Sequence, residues 1–342
     1  MDIRLVLYFP QKGGMVVYIR RLIDILGIRY PIIQGGMGNV SSGELCAAVS
    51  EAGGLGQIGA GTLPLDEVER RIVVAKQLTR NPFGVNLPVN IHPDPQGVIE
   101  LIQMHDVPVV SLSAGNPSPW IPRLHRIGKT VMVTVASEKH AVKAAAAGAD
   151  ILVAEGVEAA GKNSPLEITT MVLVPLVARA VRVPVVAAGG IADANGLVAA
   201  LALGASGVQM GTRLIATKEA LVNLRYKEAL LHATESDTLV LGRSVGRITR
   251  VLATPRSKEL YEKEQGGMSL SEFEQALSED SHVQGALEGL FEVGHVNAGQ
   301  VAGAIRDIPT MQELFDRMIK ASFDIQRTIS DGLADLNVAG GS

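Results

Sequence analysis

Across 342 residues the chain carries 31 lysines and arginines against 35 acidic residues, a formal net charge of −4. That balance, with no basic run long enough to follow a phosphate backbone, excludes a nucleic-acid partner; a single cysteine, Cys46, excludes an intramolecular disulfide framework or a cysteine-based zinc site. Hydrophobic residues make up 47% and mean hydropathy is +0.24, yet the most apolar stretch, MVLVPLVARAVRVPVVAA, is broken by Arg179, Arg182 and two prolines, so no membrane span is expected.

Residues 1–14 read as an extension ahead of a second methionine, Met15, and show no secretory plan; the cytoplasm is the expected compartment. An amphipathic segment, VVYIRRLIDILGI, follows. Short apolar runs then alternate with helical patterns. The runs are YPIIQGG (30–36), GLGQIGA (54–60), PFGVNLPV (82–89), VPVVSLSAG (107–115), TVMVTVAS (130–137), ADILVAEG (149–156), VPVVAAGG (183–190) and SGVQMGTR (206–213). Each closes on Gly or a polar residue, as a parallel strand buried on both faces does. Between them lie Ala- and Leu-rich stretches such as SSGELCAAVSEAG, where Cys46 is read as a packing residue, SEKHAVKAAAAGAD and DANGLVAALALGA. This alternation predicts an α/β fold, a (β/α)8 TIM barrel over residues 15–232. A doubly wound sheet is the alternative, because strand order cannot be read from sequence. After residue 232 the alternation stops. TLVLGRSVGRITRVLATPRSKELYEKEQGG is dense in charge, and helical patterns return near 269–290 and 310–332. Residues 233–342 are read as a C-terminal helical appendage that packs beside the barrel mouth and contributes to the substrate site.

Gly54-Leu55-Gly56-Gln57-Ile58-Gly59 has the spacing of the G-x-G-x-x-G dinucleotide fingerprint. Such a fingerprint must follow a strand and open a helix. Here a helical pattern precedes it and the apolar run passes through it, so the glycines are expected to permit close packing instead. A stronger signal is the gathering of small and polar residues at the carboxyl ends of the predicted strands. They are Gln34-Gly35-Gly36-Met37-Gly38, Asn86, Ser113-Ala114-Gly115-Asn116, Glu155-Gly156, Gly189-Gly190 and Gln209-Met210-Gly211-Thr212. In a barrel these ends share one face, where active sites lie. The loops after the seventh and eighth strands both offer glycine amides, beside a helix N-terminus at Ala192-Asp193. Together they make a seat for a phosphate-bearing ligand. Glycines often merely end strands; finding them in both of these loops favours the seat.

With YPIIQGGMG, GVNLPV, AGNPSPWIPRLH, AEGVEAAG followed by TTMVLVP, PVVAAGGIAD, ALGASGVQMGTR and the late GHVNAGQVAGAI, the chain resembles the nitronate monooxygenase (2-nitropropane dioxygenase) family. That family includes the FMN-dependent enoyl-ACP reductases, and NAGQVAGAI is most similar to that branch. The resemblance covers roughly residues 20–305. It implies FMN as cofactor, with Met37 and Gly38 beside the flavin ring, Asn86 bonded to its edge, and Glu155 and Gly156 flanking the ribityl chain and ring. Gly189, Gly190, Gly211 and Thr212 would hold the phosphate, with Gln209 nearby.

One loop departs from the family pattern. The family's EAGGH reads EAAGKN here, so Lys162 stands where a histidine serves near the flavin, and Asn163 follows. Lysine is a poor base at neutral pH unless burial or a cationic neighbour depresses its pKa. Three roles are open to Lys162: a clamp for an anionic substrate or developing charge, an acid/base of depressed pKa, or a solvated loop residue. A nitronate arrives already deprotonated. The resemblance therefore implies oxidation of small alkyl nitronates by dioxygen to a carbonyl compound and nitrite, with neutral nitroalkanes used poorly. The alternatives are enoyl-thioester (enoyl-ACP) reduction by NAD(P)H, NAD(P)H:quinone reduction, and a flavin-binding protein without efficient turnover. Among the histidines, His92 in NIHPDPQG could line the substrate entrance. His125 and His140 are read as surface or packing residues, and His295 as capping a loop of the appendage. No ligand pair stands at metal spacing. The implied partners are a small-molecule substrate with dioxygen or NAD(P)H, and an apolar barrel of this kind is compatible with a homodimer.

Overall fold

A computed structural model of the chain describes residues 14–339. Of the extension expected over residues 1–14, only Gly14, where the first helix begins, falls among them. In chain order the strands are β1 (Ile32–Gln34), β2 (Gly56–Gly59), β3 (Phe83–Pro88), β4 (Val109–Ser113), β5 (Thr130–Val135), β6 (Ile151–Glu155), β7 (Gly161–Asn163), β8 (Val185–Ala188), β9 (Gly207–Met210), β10 (Thr238–Leu241) and β11 (Ile248–Leu252). The 8-stranded sheet is parallel and runs β1-β9-β8-β6-β5-β4-β3-β2. Its end strands meet through a bridge between Ile33 and Leu55, with Leu55 N–H donating to Ile32 O at 3.0 Å and Gln34 N–H to Leu55 O at 2.9 Å. The sheet thus closes into a (β/α)8 barrel, and the doubly wound alternative falls.

Successive strand residues face opposite ways, and here both faces are apolar. Ile33, Leu55, Val109, Met132, Ile151 and Val186 pack inside the barrel with Leu22 and Leu26, so the first helix, Gly14–Leu26, stoppers its amino-terminal end. Ile32, Ile58, Val85, Val110, Leu152 and Val208 pack outward under the helices. The G-x-G-x-x-G stretch lies in β2 and the turn before it. An added Cβ would fall 1.9 Å from Cys46 O at Gly56 and 2.5 Å from Gly38 N at Gly59, so close approach is what these glycines serve. Cys46 itself is fully buried on the helix Gly43–Glu51.

Beyond β9 the chain differs from a purely helical appendage in two respects. The charged stretch forms an antiparallel hairpin, β10 with β11, and its turn passes through Gly242 (φ +92°) and Gly246 (φ +68°). β11 then pairs with β7 in the register Ile248–Asn163, Thr249–Lys162 and Arg250–Gly161, so the Lys162 loop is an edge strand of this second sheet. The last helix, Met311–Ala339, also returns to the barrel, where Met311, Leu314, Phe315 and Met318 join the layer between strands and helices. Between β9 and that helix the chain makes an excursion whose two ends are pinned together. Lys218 N–H donates to Pro309 O, Arg213 Nη2 to Asp307 O and Met311 N–H to Glu219 Oε1, each at 3.0 Å. Val40, Ile215, Tyr226, Leu230, Phe291 and Val296 give the excursion a core of its own, set against the loops at the carboxyl end of the barrel. Among the described residues no helix is long and apolar enough to cross a membrane.

Candidate active site

The carboxyl ends of the barrel strands surround a cavity of about 570 Å³. Met37, Gly38, Asn86, Glu155, Gly189, Gly190, Gln209, Gly211 and Thr212 line it from the barrel, and Lys162 lines it from β7. Gly156 stands just behind this wall. A Cβ there would lie 2.2 Å from Thr170 Oγ1, so its contribution is through the backbone.

Buried amides tie the cavity floor together. Gln57 Nε2 donates to Gln34 O at 2.6 Å and approaches Gln209 Oε1 at 3.4 Å. Ser111 Oγ donates to Gln57 Oε1 at 2.6 Å, and Asn86 Nδ2 donates to Ser111 Oγ at 2.9 Å. A connected buried network of this kind holds its members in one orientation. Gly36 makes room for it, since an added Cβ would lie 2.3 Å from Asn86 Cβ.

The loops after β8 and β9, expected from the sequence to seat a phosphate, lie side by side at the cavity. Gly189 (φ +99°) and Gly190 (φ +74°) adopt a backbone shape that favours glycine and leaves their N–H groups bare. Glu158 and Thr170 brace that turn: Thr170 N–H donates to Glu158 Oε2 at 2.9 Å, and Thr170 Oγ1 lies 3.0 Å from Gly189 O. Gly211 opens the short helix Thr212–Ile215, and Thr212 Oγ1 accepts the N–H of Gly299 at 2.9 Å. The late NAGQVAGAI segment therefore closes over the same loops, with Gln300 N–H donating to Glu158 O at 2.9 Å. The helix N-terminus expected to assist at Ala192-Asp193 does not. Asp193 caps its own helix, its Oδ1 accepting the Gly196 N–H at 3.0 Å, and a carboxylate there opposes a second anion.

The opposite wall comes from the excursion. The helix Glu279–Ala286 supplies Glu279 and His282, and the chain after it supplies His295 and Asn297. Glu279 Oε2 accepts from Asn39 Nδ2 at 2.7 Å, which sets it over the Met37-Gly38 loop. Burial pushes its carboxyl up, opposed by the charge of Lys162. His282 and His295 are nearly fully buried, with ring centroids 5.3 Å apart. Burial drives His282 down to about 4; burial, then the neighbouring His282 and Lys162, hold His295 well below the usual imidazole range. Both rings are therefore neutral at pH 7. Burial also pushes Glu155, at the end of β6, up to about 7. Lys162 is exposed at the rim and is the wall's only lysine or arginine. Its ammonium makes no hydrogen bond or ion pair among the described residues, although its charge reaches Glu279 and His295.

Several histidines differ from their sequence reading. His92 does not line the entrance. It is buried, with Nε2 3.0 Å from Leu63 O and Nδ1 accepting the Asp94 N–H at 3.0 Å, so both ring nitrogens brace a turn. His140 reaches the cavity rim, whereas His125 pairs with Asp150 at 2.9 Å away from it. His295 belongs to the cavity wall, and His282 joins it without any signal in the sequence beyond its residue type. Among the described residues no cluster of His, Cys, Asp and Glu could hold a metal ion.

A closed parallel barrel that gathers glycine loops and groups of shifted pKa around a cavity at the carboxyl ends of its strands has the form of a barrel enzyme's active site. The nitronate monooxygenase family profile matches residues 20–95 and 90–321, and the chain belongs to that family of oxidoreductases. It is 33% identical over 341 residues to the (3aS,4S,5R,7aS)-5-hydroxy-7a-methyl-1-oxo-octahydro-1H-indene-4-carboxyl-CoA dehydrogenase of Mycobacterium tuberculosis, covering 87% of this chain and 94% of the relative. It is 32% identical over 348 residues to a probable nitronate monooxygenase of Staphylococcus haemolyticus, covering 89% and 97%. Among solved structures, FabK from Thermotoga maritima is similar with a TM-score of 0.87 and 39% identity, over 91% of this chain and 98% of that one.

Proposed function

We propose that this protein is an FMN-dependent oxidoreductase that exchanges hydride with the acyl part of a thioester. The observation that carries this reading is electrostatic. The cavity wall presents neutral hydrogen-bonding groups and three acids, Glu155, Glu158 and Glu279, while the wall's one permanent cation among the described residues, Lys162, stands at the exposed rim. A small anion such as a nitronate would meet carboxyls inside; an uncharged acyl chain with a carbonyl suits the same lining. The relatives support the substrate class, one being named a carboxyl-CoA dehydrogenase and another, FabK, an enoyl-ACP reductase.

The glycine cradle fits FMN. Gly189, Gly190, Gly211 and Thr212 would take the phosphate, with Gln209 beside it; an added Cβ at Gly189 would lie 2.9 Å from Thr170 Oγ1, and one at Gly211 would crowd Met37 Sδ at 3.2 Å, so both positions keep their backbone amides uncovered. Met37, Gly38 and Asn86 would border the ring, with Glu155 and Gly156 along its other side. Bound FMN supplies two-electron hydride chemistry. The chain's own part is to orient the acyl group, exclude water behind the His282–His295 wall, and hold a proton on Glu155 near neutral pH. Lys162 at the rim would meet the phosphates of an incoming carrier such as coenzyme A, a role for a surface cation rather than for a base.

Anaerobic flavin spectroscopy tests this. NADH and NADPH are added separately to the yellow protein, followed by crotonyl-CoA. Bleaching by a nicotinamide and recovery of colour with crotonyl-CoA is the expected result. The second reading, nitronate oxidation by dioxygen, is favoured by the reach of the Lys162 charge to Glu279 and His295. Bleaching by propyl nitronate alone, with no response to nicotinamides or thioesters, would establish it and end the thioester reading.

A further inference from the structure

Beside the Met37-Gly38 loop, the barrel's half of the cavity meets the excursion's half at Asn39. This residue is buried in the short 3-10 turn Gly38–Val40 that follows β1. Against one side of the turn lies Arg71, 7% exposed, on the helix Leu65–Leu78. Its guanidinium donates to three carbonyls: Nη1 to Gly38 O at 3.0 Å and Ser41 O at 3.1 Å, and Nη2 to Asn39 O at 3.1 Å. Nε donates to Glu67 Oε1 at 2.7 Å, which fixes the plane of the fork. The Glu67 carboxyl, held down to about 2 first by the hydrogen bond from Arg70, stays ionised beside this buried cation. Gly43 lets the helix come so close, because a Cβ there would lie 2.5 Å from Arg71 O. From the other side comes Glu279. Asn39 Nδ2 donates to Glu279 Oε2 at 2.7 Å and approaches Glu279 O at 3.4 Å. A backbone carbonyl can only accept, so the Asn39 amide presents its NH2 there. Glu279 also overlooks the neighbouring glycine, since a Cβ on Gly38 would lie 3.6 Å from Oε2. Met37, Gly38 and Glu279 line the cavity, whereas Asn39 and Arg71 stand behind them.

We infer that Arg71 and Glu279 are positioning residues for the Met37-Gly38 loop, both acting through Asn39, one on its carbonyl and the other on its side chain. The excursion thereby helps to set the loop that would border the flavin ring. This inference rests on the FMN reading and adds to it how the loop is held. Neither Met37 nor Gly38 has a side chain that could anchor the loop by hydrogen bonds, so its backbone must be fixed from outside. Arg71 does this with a rigid fork that a lysine cannot reproduce. Glu279 does it across 240 residues of sequence, far from the pinned ends of the excursion. Because these ends hold the excursion to the barrel independently, loss of the Glu279 bond frees the loop without detaching the wall. Cofactor affinity and the surroundings of the ring therefore depend on a carboxylate of the substrate wall, and on its partner in the barrel.

The test exchanges donor and acceptor. Flavin-free protein is titrated with FMN at pH 8; flavin fluorescence reads the affinity, and visible circular dichroism reads the surroundings of the bound ring. Asn39→Asp sets a second carboxylate against Glu279 and should weaken FMN binding by about 10-fold or more. Combining it with Glu279→Gln rebuilds the bond with reversed polarity, amide now donating to carboxylate. The double variant should bind within about threefold of wild type and regain its dichroism. Glu279→Ala, which introduces no repulsion, should weaken binding by about 3- to 10-fold, and Arg71→Lys by about 10-fold. Unchanged binding and dichroism in Asn39→Asp or Glu279→Ala would overturn the inference and leave the FMN reading standing. So would a double variant no better than Asn39→Asp alone. Arg71→Lys protein that binds as wild type does would overturn the part given to Arg71. Wild-type protein that binds no FMN would overturn both the reading and the inference.

Discussion

Glu155 ends β6 with its carboxyl raised to about 7 by burial. The linkage has a definite sign. Between the ordinary glutamate range and about 7, the folded chain keeps a proton that the unfolded chain has released, so stability is lost as pH rises through that window and is level above it. Glu155→Gln cannot ionise and removes this loss. At pH 8 the flavin-free variant should be more stable than wild type by up to about 3 kcal/mol, and the difference should vanish near pH 4.5. Equal melting curves at both pH values would contradict the raised pKa. Gly189 has φ +99°, and an added Cβ would lie 2.9 Å from Thr170 Oγ1. Gly189→Ala should therefore yield folded barrel, judged by circular dichroism, with most of the FMN binding proposed above lost. The glycine loops were legible in the sequence because glycine is the residue type that bares backbone amides. His295 and Asn297 were not, since nothing local to GHVNAGQ tells that this segment returns to the cavity.

At the scale of elements, the barrel strands were legible because each is buried on both faces and must be apolar throughout. β7 gives no such sign. Its three residues are Gly161, Lys162 and Asn163, and only their pairing with β11 makes them a strand. The β10–β11 hairpin did leave a trace, TLVL and ITRVL around a glycine-bounded turn, but the charges within it masked the alternation. One of those charges joins the two sheets' neighbourhoods. Arg250, 8% exposed, donates from Nε to Val157 O at 2.9 Å and from Nη1 to Thr238 Oγ1 at 3.1 Å. Arg250→Ala should cost about 1–2 kcal/mol in urea denaturation, since it removes a charged hydrogen bond from a partly buried carbonyl. It should also speed proteolytic cleavage within residues 157–168. Unchanged cleavage would mean that β7 is held by its backbone pairing alone.

For the whole molecule, barrel closure depends on residues far apart in the chain. Phe315, fully buried on the last helix, approaches the β1–β2 seam so closely that a Cβ on Gly54 would lie 2.7 Å from its ring. Phe315→Ala should lower stability by about 3–5 kcal/mol, read as a fall in the urea midpoint with unchanged slope. The helical pattern of this segment was legible. Its return to the barrel was not, because an amphipathic period names a buried face without naming what covers it.

The pinned ends of the excursion have a consequence for how such proteins diversify. Lys218 meets Pro309 and Arg213 meets Asp307 at the rim, so the stretch between them leaves and rejoins the barrel at one place. Lengthening a chain between fixed ends costs only a logarithmic entropy. The intervening stretch is thus an exchangeable cassette: it furnishes one wall of the cavity, while the strand ends furnish the other. A descendant can trade one clientele for another by rewriting the cassette, with the barrel's own fold left as it was.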